Sequence, residues 1–126
     1  NHIGIVREEK ELKEGIEKLR AMKTELKQMK AYPASQYNPG WNLAIDLNNM
    51  IITCEAVAMS ALNRKESRGA HTRIDYPEER EECLTFNSII RQAENNSMTI
   101  YKVPRKPPEK ELEKIAYSDL EELENV

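Results

Sequence analysis

The sequence predicts a mainly α fold: an antiparallel helical bundle with a small C-terminal β-hairpin. Two long stretches repeat apolar residues at steps of three and four. A loop punctuated by Pro33 and Pro39 separates them. Near the C-terminus, two β-rich runs flank an Asn-Asn pair.

The first helix is expected over residues 8–30, with Leu12, Ile16, Leu19, Met22, Leu26 and Met29 on one face. Glu9/Lys13 and Glu14/Lys18 place acid four residues before base, each adding about 0.2–0.5 kcal/mol. Gly15 weakens this helix slightly. The loop "AYPASQYNPG" ends it, because a residue before proline disfavours the helical conformation. A second helix follows over residues 41–65. Its stripe is wider: Leu43, Leu47, Met50, Ile51, Cys54, Val57, Ala58, Ala61 and Leu62. Asn38 or Asn42 is placed to cap its start, with Pro39 near the first turn. Ala56, Ala58 and Ala61 allow a neighbouring helix to approach closely. Basic residues of "NRKES" sit where the helix dipole is negative, and Gly69 is available for a left-handed turn.

Beyond Pro77, "EEREECLTF" predicts a short third helix with acidic residues at its start. Residues 88–93 and 98–103 then form a hairpin about Asn95-Asn96. A lone hairpin is marginal in water and must lean on something. "PRKPP" breaks regular structure, and the tail "EKELEKIAYSDLEELENV" carries Leu112, Ile115 and Leu120 at loose helical spacing. The expected division is a helical hairpin over 1–77, followed by a short helix, β-hairpin and acidic tail over 78–126.

Composition narrows the function. At 126 residues the chain is one domain, and 39% apolar against 33% charged residues leaves a modest core. A net charge of −3 argues against nucleic acid as a partner. No apolar run approaches the length of a membrane span, and the N-terminus lacks a signal-peptide pattern, so no direct membrane insertion is expected. Cys54, Cys83, His2 and His71 make no zinc set, and the cysteines read as reduced thiols. Asn95-Asn96-Ser97 fits a glycosylation pattern but reads as turn chemistry. Glycines stand at 4, 15, 40 and 69, too scattered for a dinucleotide fingerprint or a phosphate loop.

The densest chemistry lies in "RKESRGAHTRIDYPEER", residues 64–80. Ser67, His71 and Asp75 stand at i, i+4 and i+8, but in a loop that spacing does not make a hydrolytic triad or a metal site. Guanidinium forks pair well with carboxylates and backbone carbonyls. Glu66, Arg68, His71, Arg73 and Asp75 therefore read first as a joint that locks a turn or docks a neighbour. Binding of an oxyanion and plain surface decoration are the alternatives.

"YNPGWNLAIDLNNMIITCEAVAMSALNRKESRGAHTRIDYPEE" resembles the C-terminal region of the flavoprotein subunit of succinate dehydrogenase and fumarate reductase, with L-aspartate oxidase a relative. The likeness is carried by Leu43, Leu47, Asn49, Met50, Glu55, Ala56, Ala61, Arg64, Glu66 to His71, Arg73, and Asp75 to Pro77. "IGIVR", ending at Arg7, is similar to the segment preceding the first helix in that family. "NSIIRQAENNSMTIYKVPRKPP" is similar to its late strand pair. The likeness spans roughly residues 3–108, and "NPGW" leans toward succinate dehydrogenase.

The resemblance implies a spectrin-repeat-like bundle and a larger parent enzyme of the tricarboxylic acid cycle and electron transport. That enzyme moves two electrons between succinate and fumarate, using FAD usually held by a histidine, and passes them to an iron–sulfur subunit. The family's flavin-binding, capping and catalytic residues lie upstream of this region, as does a further helix that packs in the bundle. The resemblance therefore implies no catalytic, cofactor-binding or metal residue in this segment, and no FAD bound by it alone. Glu66, Ser67, Arg68, Gly69, His71, Arg73 and Asp75 would form an interdomain docking motif toward the flavin and capping domains. Arg68 and Arg73 would act on the dicarboxylate site only through their field. The complex would be cytoplasmic and peripheral on the inner face of the membrane. The alternatives are the matching domain of L-aspartate oxidase, or a free-standing helical interaction module. With neighbours absent, the segment is expected to expose an apolar strip and to self-associate.

Overall fold

The structure, a computed structural model, describes residues 2–31, 36–94 and 97–118. Strand β1 (Val6–Arg7) leads into helix α1 (Glu9–Leu26), and helix α2 (Pro39–Asn63) follows. Then come β2 (Thr72–Arg73), a 3₁₀ turn (Glu81–Leu84), the strands β3 (Phe86–Gln92) and β4 (Met98–Pro104), and helix α3 (Lys110–Tyr117). Pro33, the Asn95-Asn96 turn, Leu120 and the acidic tail end lie outside the described residues.

The two long helices run antiparallel. Arg20 and Lys23 of α1 meet Glu55 of α2, Glu9 and Lys13 face the end of α2, and Lys27 and Met29 face its start. The seam is built from Leu12, Ile16, Ile51, Ala58 and Ala61, all buried. The small residues expected on α2 do let α1 approach: Ala58 is fully enclosed. Gly15 has a similar cause. An added Cβ there would stand 3.0 Å from His2 Cβ and Ile3 Cγ1, so the N-terminal segment crosses α1 where a side chain is missing.

Several boundaries differ from expectation. Helix α1 stops at Leu26, because Gln28 and Met29 donate to carbonyls three residues back, tightening the end into 3₁₀ geometry. The third helix shrinks to one 3₁₀ turn, which buries Cys83. Pro39 is the first residue of α2 and Asn38 stands at its N-cap position, although no side-chain cap bond forms there. The hairpin pairs Phe86 with Pro104 and Ile90 with Ile100, and lies against α2, where Asn63 Nδ2 donates to Ser88 Oγ at 3.4 Å. Lys102 sits over the Phe86 ring at 4.3 Å. β1 and β2 form a short parallel pair, Val6 with Thr72 and Arg7 with Arg73, that the sequence reading did not anticipate.

The broad stripe expected on α2 divides into two faces. Ile51, Ala58 and Ala61 turn inward. Leu43, Leu47, Met50, Cys54 and Val57, at steps of four, three, four and three, remain exposed. That second face is a coiled-coil-type seam with no described partner on it.

Candidate functional site at the charged elbow

Leaving α2, the chain turns tightly at Gly69. Arg68 and His71 exchange both backbone hydrogen bonds, at 2.9 and 3.1 Å. Gly69 has φ +58° with nothing within 4 Å of an added Cβ. The position demands glycine for its backbone, not for space. The chain then returns alongside β1, where Thr72 N donates to Ile5 O and Ile74 N to Arg7 O.

That return brings Arg73, fully buried, under the end of α2. Its Nη1 donates to the carbonyl of Ala61 at 2.9 Å and, at 3.4 Å, to those of Leu62 and Arg64. Its Nε and Nη2 grip Asp75 in a fork at 2.7 and 2.6 Å. Asp75 also accepts the N–H of Glu9, the first residue of α1, at 3.2 Å. One ion pair thus satisfies the end of one helix and the start of the other. The sequence places basic residues of "NRKES" at the end of α2 to meet its dipole. The cation there is Arg73 instead, and Arg64 turns away to Glu66.

Glu66, also fully buried, is the second knot. It accepts from Arg64 Nε at 2.6 Å, Arg68 Nε at 3.2 Å and the N–H of Arg80 at 3.0 Å. Burial alone would raise its carboxyl, but those donors hold it below the ordinary range. The Arg73 fork does the same for Asp75 and pushes Arg73 upward in turn. Ser67 Oγ accepts the Arg73 N–H and donates to the Tyr76 carbonyl, both at 2.8 Å. The Tyr76 ring has Arg73, Arg80 and Lys65 over it at 4.9, 5.3 and 5.7 Å.

His71 Nε2 lies 3.1 Å from the Arg64 carbonyl, so it carries the proton and donates. Nδ1 then accepts from Arg7 Nη1. Burial holds the ring below its usual pKa, and Arg7, Arg73 and Arg64 repel added charge. The structure therefore gathers all seven elbow residues, but engages Ser67, His71 and Asp75 with three different partners instead of with each other. Arg7, Glu9 and the Arg80 N–H belong to the cluster and were not anticipated. The likeness of "IGIVR" to the family's segment before its first helix was the signal for the first. Glu55, buried among apolar neighbours and held by Arg20 and Lys23 at 3.2 and 3.3 Å, is a second polar knot halfway along the helices.

An antiparallel helix pair, an ionic elbow buried at Glu66 and Arg73 and an exposed apolar face on α2 define a helical domain with a small β-hairpin. Comparison with known proteins gives the particular family: the chain belongs to the one described as fumarate reductase flavoprotein C-term, whose model matches residues 1–121. It is 40% identical over 76 residues to the succinate dehydrogenase flavoprotein subunit of Coxiella burnetii, covering 60% of this chain and 13% of that protein. It is 36% identical over 78 residues to L-aspartate oxidase of Acinetobacter baylyi, covering 62% and 13%. Among solved structures, the Mycobacterium smegmatis Sdh1 complex matches with a TM-score of 0.84 and 33% identity, over 97% of this chain and 21% of that one. The chain thus spans only a small part of these relatives, and its family is one of FAD-dependent oxidoreductases.

Proposed function

We propose that this chain is the C-terminal buttress of a flavoenzyme that interconverts succinate and fumarate, a single domain of 126 residues. It braces the flavin-binding and capping domains, faces an iron–sulfur subunit, and neither binds FAD nor turns over dicarboxylate by itself. Within it, residues 1–77 form the rigid hairpin and residues 78–126 the appended hairpin and tail. The elbow residues Glu66, Ser67, Arg68, Gly69, His71, Arg73 and Asp75 fix the geometry of the docked face. The carrying observation is the exposed seam Leu43, Leu47, Met50, Cys54 and Val57 on α2, an apolar face too regular to be left in water. The parent complex is placed peripherally on the inner, cytoplasmic face of the membrane. No helix among the described residues is long and apolar enough to cross a membrane.

Two relatives named L-aspartate oxidase, 36% and 37% identical, keep that enzyme as a second reading. The test is to express the chain with its upstream reading frame and assay the product with succinate and with L-aspartate. The proposal expects a yellow protein active on succinate, and a colourless, inactive 126-residue chain. Oxidation of aspartate alone selects the second reading. An upstream frame without a flavin domain returns the free-standing interaction module, and flavin bound by the isolated chain refutes the buttress.

A further inference from the structure

Beside the elbow lies an open cavity of about 450 Å³ between β1, the end of α2 and β3. Its polar wall is Arg7, Arg64, His71, Ser60 and Ser88, its floor includes Val57, and no acidic residue lines it. The other arginines at this end of the bundle are matched: Arg64 and Arg68 by Glu66, Arg73 by Asp75 and Arg80 by Glu82. Arg7 is not. Its contacts are the Gly4 carbonyl and the His71 ring, and among the described residues it pairs with no carboxylate. An unneutralised guanidinium, an imidazole and two hydroxyls around one concavity are donors arranged for an anion.

We propose that this cavity is a carboxylate-binding site, with Arg7 as its principal cation and His71 as a second donor recruited on protonation. His71 Nδ1 is engaged in accepting from Arg7. Around it stand Arg7 from β1, the carbonyl and guanidinium of Arg64 just past the end of α2, Arg73 from β2 and Ser88 from β3. A carboxylate entering between Arg7 and the ring lets both groups donate to it, and offsets the repulsion that keeps the ring neutral. The group that fits is a carboxylate, carried by a small organic acid or by a side chain of a polypeptide lying along the α2 seam. Val57 belongs to both cavity and seam, so a partner on one reaches the other.

The test follows the His71 imidazole by NMR across pH in the whole chain at fixed ionic strength, with His2 as internal reference. Millimolar acetate or succinate is expected to raise the His71 midpoint by about one pH unit, with His2 unmoved. Arg7→Gln should abolish the rise and Arg7→Lys retain part of it. If Arg7→Gln fails to fold, Arg7→Lys and Ser88→Ala, read for a reduced rise, decide the matter in its place. A response only to a helical peptide bearing apolar residues at i, i+4 and i+7 and a terminal glutamate assigns the carboxylate to a protein side chain. No response to either probe, or an equal one to chloride or sulfate, overturns the site.

Discussion

Arg73 shows how one side chain can bind two helices. It caps α2 through three carbonyls and, through Asp75, reaches the first N–H of α1. Arg73→Ala leaves Asp75 and those carbonyls without their partner, and should cost about 3–5 kcal/mol in urea unfolding. Arg73→Lys keeps the charge but loses the fork, at about 1.5–3 kcal/mol. The pH dependence follows from the same groups. The folded pKa of His71 lies below its ordinary 6.5, so the unfolded chain takes up that proton first. Stability present above pH 6.5 therefore declines as pH falls through the folded value. Glu66 and Asp75, lowered from 4.5 and 3.8, add a second loss starting near those values and continuing below them. His71→Phe should remove the upper stage of an acid titration followed by circular dichroism and leave the lower one.

At the scale of elements, periodicity carried the long helices, and two β-rich runs about the Asn95-Asn96 pair carried the hairpin. Both signals extend over enough residues to be read locally. The parallel pairing of Val6–Arg7 with Thr72–Arg73 was illegible for the opposite reason: two residues make no pattern, and their partners lie 66 positions apart. The elbow residues could be named from sequence, yet not all their partners, since Glu66 and Arg73 also work through backbone groups that any residue would supply. Gly69 was legible because its backbone angle requires glycine. Gly69→Ala should cost about 1–2 kcal/mol, measured as a shift in the urea midpoint without change in slope, since no contact blocks the new methyl. On the seam, Leu12→Ala should cost about 2–5 kcal/mol, because the site is fully enclosed.

The described residues form a bundle with one apolar face uncovered. Its apolar residues were found by spacing, but spacing could not say which of two faces on α2 meets α1. Only the approach of Leu12 and Ile16 to Ile51, Ala58 and Ala61 divides them. The uncovered seam should drive association of the isolated chain at high concentration, seen as a concentration-dependent rise in sedimentation coefficient that Leu47→Glu suppresses. Cys54 lies on that seam and is exposed, whereas Cys83 is buried and its thiol is pushed upward by desolvation. Maleimide labelling of Cys54, in the dilute isolated chain and in the longer flavoprotein proposed to contain it, tests the account most directly. Fast labelling of the chain and strong protection in the flavoprotein, with Cys83 slow in both, is the expected result. Equal labelling of Cys54 in the two would show the seam to be bare in the longer protein as well, and the proposed buttress would have nothing to brace.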